Sequence, residues 1–292
     1  MTEHRIDRPD GRTLAFATWG PTDGQPFMRV PGTPGSRHAV RADTSPWDER
    51  GLRVLLTERP GFGASSRHEG AGFLDHADDL AAVLDELGLD RVPICGASGA
   101  APFLLALAAR HPERVSAVSV IGGAAPLSEG DVDQLLESNA AAHRLRADGR
   151  LDELRNLAEQ FREEILAEGA GSLRDGTPAA DHGMLDDSGY ERAITRQLVE
   201  ALREGVDGLM DEGRSFHDGW DDLILSDVRC SVTWWHSVDD RNCPLSATQR
   251  LVAELPDCDL RVLTNDGHLF GYAKEGEILD ELLARHRVAS GQ

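Results

Sequence analysis

Ser98 lies in a stretch of small residues whose order is typical of a strand, a tight turn and a helix. The apolar run 92–95 leads into a glycine, an alanine, Ser98 and a second glycine, and an Ala/Leu-rich run covers 102–109. Such a turn presents the serine hydroxyl at its apex, and the helix behind it directs free backbone N–H groups outward. We interpret Ser98 as a candidate nucleophile; a turn built of small residues for packing alone is the alternative.

A serine nucleophile needs a base that removes its proton, and His268 is the best candidate. It lies in the loop 263–268, directly after the last predicted strand. Parallel strands deliver the loops that follow them to one edge of the sheet, so His268 and Ser98 can meet there. His236, at the end of the preceding strand, is the competing histidine, and we expect it to pack behind the site.

The base in turn needs an acid that orients it. The loop after the strand that ends at His236 carries two adjacent carboxylates, Asp239 and Asp240, of which only one can point at His268. The order serine, acid, histidine is the one expected when all three residues follow strands of an open α/β sheet. The alternative is that these are ordinary polar residues of surface loops.

Attack on a carbonyl group creates an oxyanion, which needs backbone donors that are already in place. Gly99, directly after the candidate nucleophile, supplies one N–H group at the start of a helix. The loop 31–37 follows an early strand, and there Gly32 leaves room for the N–H of Thr33 to be the second donor. A purely structural role for this proline-containing loop is the alternative.

The elements around these loops alternate between strand and helix over the first 125 residues. Hydrophobic periodicity predicts strands at 12–19, 27–30, 52–57, 92–97 and 115–121, and helices at 37–50, 73–87 and 102–109. Such alternation requires a parallel sheet that is covered by helices on both faces. The predicted fold class is therefore α/β.

The alternation stops over residues 126–222, where no strand is predicted. This stretch contains 24 acidic residues and 10 arginines. Helices are expected at 131–149, 151–169 and 190–213, around a glycine-rich loop at 169–189. Strands at 231–236 and 259–263 and helices at 246–255 and 276–287 then restore the pattern. We expect one core, formed by 1–125 and 223–292, that is interrupted by a helical cap at 126–222.

Composition narrows the range of partners. The formal charge of −21 argues against binding of nucleic acid or of an anionic membrane. The four cysteines are scattered without metal-ligand spacing, the N-terminus lacks a signal-peptide pattern, and no apolar run reaches the roughly 20 residues that span a bilayer. We expect a cytoplasmic protein that acts on a small molecule without a cofactor or metal; its oligomeric state is left open.

Taken together, these motifs resemble the α/β-hydrolase fold superfamily, in its form with a helical cap. The matching segments cover 32–37, 58–65, 96–100, 235–244 and 267–268. The resemblance implies a Ser/Asp/His triad, and it implies Asp240 as the acid, because relatives carry it four residues before the proline of that loop. Epoxide hydrolases and haloalkane dehalogenases of this superfamily attack with an aspartate, which Ser98 cannot replace.

Two positions depart from the pattern of the family. Relatives usually have His-Gly before the oxyanion residue, whereas Pro31 takes the histidine position here, and Ala100 replaces the last glycine of the nucleophile turn. Alanine is small enough to preserve the packing of helix on strand. Pro31 is the larger change, because it alters how the oxyanion loop is braced.

The sequence therefore predicts a serine hydrolase of a small ester, lactone, thioester or amide, with a carboxylic ester favoured. One alternative is a non-hydrolytic use of the same fold, as a cofactor-free lyase or oxygenase or as a small-molecule receptor. Another is an aminopeptidase of the proline-iminopeptidase kind, in which cap carboxylates such as Glu204 and Asp207 would bind the substrate ammonium. A scaffolding protein with a vestigial site is the least favoured alternative.

Overall fold

The computed structural model describes residues 1–264 and 266–291, so Asn265 of the predicted histidine loop lies outside the described residues. Eight strands form one sheet in the order β1-β2-β4-β3-β5-β6-β7-β8. The strands are β1 Thr2–Asp7, β2 Thr13–Trp19, β3 Gln25–Val30, β4 Leu52–Thr57, β5 Val92–Ala97, β6 Val115–Ile121, β7 Ser231–Ser237 and β8 Cys258–Leu263. β1 pairs with β2, and β2 with β4, in antiparallel fashion, and the other pairings of the sheet are parallel.

Helices connect the parallel strands. Among the described residues, the α-helices are α1 Ser45–Asp48, α2 Phe73–Glu86, α3 Ala101–Arg110, α4 Glu129–Val132, α5 Glu137–Ala147, α6 Leu151–Glu168, α7 Ala179–Asp186, α8 Ser188–Ala201, α9 Asp207–Asp218, α10 Leu245–Val252, α11 Phe270–Ala273 and α12 Glu275–Ser290. From α4 to α9 the described chain contains no strand. We call the segment between β6 and β7 the helical insertion.

Two hydrophobic clusters cover the two faces of the sheet. On one face, apolar residues of α2, α3 and α10 pack against the strands, and on the other face α1 and α12 do so. The adjacent residues Trp234 and Trp235 of β7 belong to opposite clusters, as expected for a central strand buried on both faces. The predicted mainly parallel α/β sheet with helices on both faces is therefore confirmed.

The expected helix at 37–50 is wrong, since only α1 is helical in that segment. Pro46 lies at the start of α1, and a residue before proline is disfavoured in helical geometry. Upstream, the side chains of Arg37 and Arg41 turn inward to pair with Glu58 and Glu275. These buried ion pairs determine the path of the chain here, so the segment before α1 is not helical.

Three further expectations differ from the structure. The loop at 169–189 is largely helical, because it contains a 3-10 segment over Gly169–Gly176 and then α7. The single helix at 190–213 is split into α8 and α9, and Gly205, whose φ is +130°, lies in the break. The edge strand β1 was not predicted, because its polar sequence alternates with little hydrophobic contrast.

The sheet order places four loops at one edge. The loops that follow β3, β5, β7 and β8 all leave the carboxyl ends of parallel strands, and these loops carry Thr33, Ser98, Asp240 and His268. In open α/β sheets, ligands bind at this edge. Within the described residues no helix is long and apolar enough to cross a bilayer.

Candidate active site

Ser98 occupies a strained turn between β5 and α3. Its φ is +57°, and it is the only non-glycine residue with a positive φ among those the structure describes. The turn is possible because Gly96 lacks a side chain: a β-carbon there would lie 2.6 Å from Ala100 Cβ and 2.7 Å from the Val30 oxygen. Ala100 therefore fits in place of the family's glycine, and the strain is localised on the serine.

His268 and Asp240 are joined directly. His268 Nδ1 lies 2.7 Å from Asp240 Oδ2. The other carboxylate oxygen, Oδ1, accepts the backbone N–H groups of Asn242 at 2.8 Å and Cys243 at 2.9 Å, which fixes the orientation of the acid. Asp240 is only 5% exposed, whereas Asp239 is exposed to solvent. In the neutral imidazole, Nδ1–H donates to Asp240 and leaves Nε2 free to accept a proton.

Charges around this pair favour its ionised forms. Burial works against a charged imidazole, but the Asp240 carboxylate outweighs it, and Asp181 adds to the effect, so the pKa of His268 is raised. Burial alone would raise the pKa of Asp240, but His268 and the backbone donors hold that pKa below its usual value. Asp240 thus stays ionised, and His268 becomes a stronger base than a free histidine.

The backbone of Gly122 and the side chain of His236 pack against Asp240. A β-carbon at Gly122 would lie 2.9 Å from Asp240 Oδ2 and 3.3 Å from His268 Nδ1. His236 Nε2 donates to the Cys243 oxygen at 2.7 Å, and burial lowers the pKa of His236. His236 therefore supports the acid loop as a neutral imidazole and lies behind the site.

Cys243 of the acid loop is buried beside Ser98, and burial raises the pKa of its thiol well above the ordinary value. No direct hydrogen bond between Ser98 and His268 is found among the described residues. Hydrogen bonds between a nucleophile and its base are often loose in unliganded sites and tighten when a substrate binds.

Gly99 and Thr33 face each other across the site. A β-carbon at Gly99 would lie 2.2 Å from Thr33 Oγ1, and one at Gly32 would lie 3.3 Å from Ser98 Cβ. The Gly99 backbone thus lies against the Thr33 side chain, and the Gly32 backbone lies against Ser98, so both positions leave no room for a side chain. The N–H group of Gly99 lies in the first turn before α3, where such groups have no partner within the helix.

Arg59 braces the loop that carries Thr33. Its guanidinium donates to the carbonyl oxygens of Pro31 and Gly32 and, at 3.0 Å, to Thr33 Oγ1. It also forms a bidentate ion pair with Glu212 of α9. Thr33 Oγ1 donates in turn to Glu212 Oε2 at 2.6 Å. Pro31 takes the place of the family's histidine, and Arg59 supplies the bracing.

Asp181 of α7 holds the histidine loop. Its two carboxylate oxygens accept the backbone N–H groups of His268, at 2.9 Å, and of Leu269, at 2.7 Å. The side chain is buried, and a β-carbon at Gly267 would lie 2.2 Å from its Oδ1. The helical insertion thus touches both the loop of His268 and the loop of Thr33.

The two acidic residues considered for binding a substrate ammonium lie at the surface. Glu204 has a side chain that is 71% exposed and pairs with Arg203. Asp207 pairs with Arg67 and Arg155 and is 48% exposed. No group of three or more metal-ligating side chains with suitable geometry occurs in the described part of the chain.

Sequence reasoning did not identify Arg59, Glu212, Asp181 or Gly122. The replacement of histidine by Pro31 was a usable signal for Arg59, since a loop without its usual brace needs another. Glu212 and Asp181 are two of the 24 acidic residues in the stretch 126–222, and nothing in the sequence separates them from solvated ones. Only the contacts between the insertion and the core distinguish them.

This chain is similar to proteins that are named as hydrolases and esterases. The chain is 26% identical over 244 residues to 2-hydroxy-6-oxononadienedioate/2-hydroxy-6-oxononatrienedioate hydrolase 2 of Pseudomonas putida, covering 82% of this chain and 78% of that protein. Among solved structures, it is similar to a thermophilic esterase from Thermogutta terrifontis, with a TM-score of 0.69, 20% identity and coverage of 98% and 99%. An esterase from Rhodococcus sp. ECU1013 gives a TM-score of 0.68, 18% identity and 98% coverage of both chains.

The family model of the alpha/beta hydrolase fold matches residues 25–174, which is more than half of the chain. The match spans β3 to α6 and includes the loop of Thr33, the turn of Ser98 and the start of the helical insertion. The structural neighbours extend the same fold over nearly the whole chain. The chain belongs to the alpha/beta hydrolase fold family of enzymes.

Proposed function

We propose that this protein is a serine hydrolase that cleaves a small carboxylic ester through an acyl-enzyme intermediate on Ser98. The observation that carries the proposal is the convergence of the strained Ser98 turn, the His268–Asp240 pair and the contact between Gly99 and Thr33 at one edge of the sheet. Each part performs one task of acyl transfer, and together they form a complete set.

In this mechanism, His268 Nε2 removes the proton from Ser98 Oγ as the oxygen attacks the ester carbonyl. The negative charge that develops on the carbonyl oxygen is stabilised by the N–H groups of Gly99 and Thr33. His268 then donates its proton to the leaving alcohol, and Asp240 stabilises the imidazolium meanwhile. A water molecule, activated by the same histidine, attacks the acyl-enzyme and restores Ser98.

We further propose that residues 126–222 act as a cap over a core formed by 1–125 and 223–292. This division is supported by the absence of strands among the described residues between β6 and β7, and by the contacts of Asp181 and Glu212 with the two site loops. In this arrangement the cap shapes the pocket for the acyl or alcohol part of the substrate. The substrate is a small molecule that fits beneath the cap.

The proposed function is tested with p-nitrophenyl esters of acetate, butyrate and octanoate, together with a lactone and a 2-hydroxy-6-oxo-dienedioate of the kind named for the Pseudomonas relative. We expect hydrolysis of at least one ester, and a loss of at least about 10³-fold in kcat for Ser98→Ala. Ser172→Ala is the matched control, because Ser172 lies in the insertion, away from Ser98, and its hydroxyl donates to the Gly169 oxygen.

Two outcomes would overturn the proposal. Turnover that is equal in Ser98→Ala and the wild type would place the chemistry elsewhere. A ligand that binds tightly and is returned unchanged, with no ester cleaved, would favour a receptor instead. The aminopeptidase alternative is less favoured, because Glu204 and Asp207 are engaged in surface ion pairs; proline p-nitroanilide tests it directly.

A further inference from the structure

We propose that Arg59 and Glu212 are positioning residues of the oxyanion hole, and that the helical insertion completes this hole by supplying Glu212. This inference rests on the proposed function, because it assigns a task to two residues beside the site of Ser98. It extends the proposed function, because it predicts that catalysis depends on an ion pair between the insertion and the core.

The loop of Thr33 is held in place by Arg59. Pro31 has no side-chain donor and no backbone N–H, so it cannot fasten the loop itself. The carbonyl oxygens of Pro31 and Gly32 both accept from Arg59, as does the Thr33 hydroxyl. Three successive residues therefore take their orientation from one guanidinium. Rotation of the loop, and with it of the Thr33 N–H, would break these bonds.

Arg59 is itself held by Phe103 and Glu212. Its side chain is only 1% exposed, and its guanidinium carbon lies 4.6 Å from the centre of the Phe103 ring, in a cation–π contact. Nε, together with the Nη2 that also faces Gly32 and Thr33, forms the bidentate pair with Glu212. A guanidinium is a rigid planar fork, so these contacts leave it a single orientation.

The Glu212 side chain is also only 1% exposed. It lies on the inner face of α9 with Gly208 and Ser215, and Gly208 packs directly on Gly61: a β-carbon at Gly208 would lie 2.5 Å from the Gly61 oxygen. The helix thus approaches the core closely enough for a short carboxylate side chain to reach the oxyanion loop. One Glu212 oxygen contacts both Arg59 and Thr33, so the carboxylate closes the network.

Two alternatives for this pair are weaker. A role in global stability alone does not require that the guanidinium contacts the oxyanion loop, and buried ion pairs contribute little net stability compared with apolar residues. A direct role of Glu212 in binding a cationic substrate is disfavoured, since both of its oxygens are already occupied by Arg59 and Thr33.

The test compares Glu212→Gln with Asp211→Asn. Asp211 is the preceding residue of α9 and pairs with Arg67 of the core at 2.6 Å. This is a partly exposed ion pair between the same helix and the core, outside the oxyanion loop. For Glu212→Gln we expect kcat to fall by about 10- to 10²-fold, up to the cost of losing one oxyanion donor, with little change in KM. Asp211→Asn should retain wild-type kcat.

A second measurement separates positioning from stability. A trifluoromethyl ketone forms a tetrahedral oxyanion adduct with a serine, so its affinity should fall in Glu212→Gln by the same factor as kcat. If Glu212→Gln fails to fold, the double variant Arg59→Met/Glu212→Leu is used, because a buried ion pair replaced by apolar residues retains stability. This double variant should be folded, by circular dichroism and thermal unfolding, and deficient in kcat.

The inference is overturned if Glu212→Gln, or the folded double variant, has the kcat and inhibitor affinity of Asp211→Asn. It is also overturned if kcat rises, which would mean that removal of the carboxylate charge outweighs loop position. Failure of the proposed function looks different, because the wild type itself would then hydrolyse no ester and bind no ketone.

Discussion

Asp181 offers a test of how the helical insertion supports the proposed base. Its two oxygens accept the backbone N–H groups of His268 and Leu269, at 2.9 and 2.7 Å. Asp181→Asn keeps the size of the side chain but replaces one acceptor oxygen by an amide donor. We expect this change to loosen the loop of His268 and to alter the titration of its imidazole.

The magnitude follows from these contacts. The asparagine leaves one buried N–H without an acceptor, which costs about 1–3 kcal/mol. The other hydrogen bond loses its charge assistance, which adds about 1 kcal/mol. The free energy of unfolding should therefore fall by about 2–4 kcal/mol, measured by urea denaturation followed by tryptophan fluorescence.

The pH dependence has a definite sign. The proposed base must be neutral, so kcat/KM is lost as pH falls through the pKa of His268. Burial lowers that pKa, and Asp240 and Asp181 outweigh burial and raise it. Without the Asp181 charge the pKa falls, and the acid limb of the kcat/KM profile should move to lower pH. The assay is ester hydrolysis from pH 4.5 to 9 in buffers of constant ionic strength.

Asp186→Asn provides the matched control. Asp186 lies on the same helix, α7, with a side chain that is 53% exposed and pairs with Arg174. Asp186→Asn should leave both the free energy of unfolding and the acid limb of the kcat/KM profile unchanged, because an exposed surface ion pair contributes little to either. If Asp181→Asn behaves like this control in both measurements, the assigned support of His268 by the insertion is wrong.

Three further substitutions have defined outcomes. Asp240→Asn should reduce kcat by about 10⁴-fold, as removal of the orienting acid does in serine proteases, and should move the acid limb to lower pH, because the Asp240 charge raises the pKa of His268; steady-state kinetics measure both. Gly99→Ala should lower kcat about 10- to 10²-fold, since its β-carbon would lie 2.2 Å from Thr33 Oγ1; an unchanged kcat would refute the assigned oxyanion site. Glu275→Gln should cost about 3–5 kcal/mol in urea unfolding, because it leaves two buried arginines without their carboxylate.

The alternation of strands and helices carried most of the fold prediction. Strands buried on both faces, such as β6, are short runs of β-branched and small residues bounded by turn residues, so their limits are visible in the sequence. The same regularity places Ser98, Asp240 and His268 at the ends of parallel strands. Their assignment as a triad follows from order and topology, and remains a prediction until the chemistry is measured.

The residues that brace the site were not predictable in the same way. Arg59 and Glu212 are 153 positions apart, and Asp181 and His268 are 87 positions apart. Such pairs depend on how the insertion packs on the core, which no local pattern encodes. The buried residues of α9 are Gly208, Glu212 and Ser215, and a charged residue between two small ones is not marked as buried by any hydrophobic pattern.

The prediction of a helix at 37–50 was wrong for a related reason. Its spacing allows a helix, but the buried pairs of Arg37 with Glu58 and of Arg41 with Glu275 determine its path. Tertiary ion pairs therefore override local propensity there. The departures noted in the sequence were more informative: Ala100 fits against Gly96, and Pro31 marks the loop that Arg59 braces.

Covalent trapping with a serine-directed reagent tests whether Ser98 is the nucleophile. Wild-type protein and Ser98→Ala are incubated with a fluorophosphonate, digested and analysed by mass spectrometry. We expect a single phosphonylated residue, Ser98, in the wild type, loss of ester hydrolysis in proportion to labelling, and no adduct in Ser98→Ala. A wild type that remains unlabelled, or equal labelling of the variant, would contradict the assignment of Ser98 as the nucleophile.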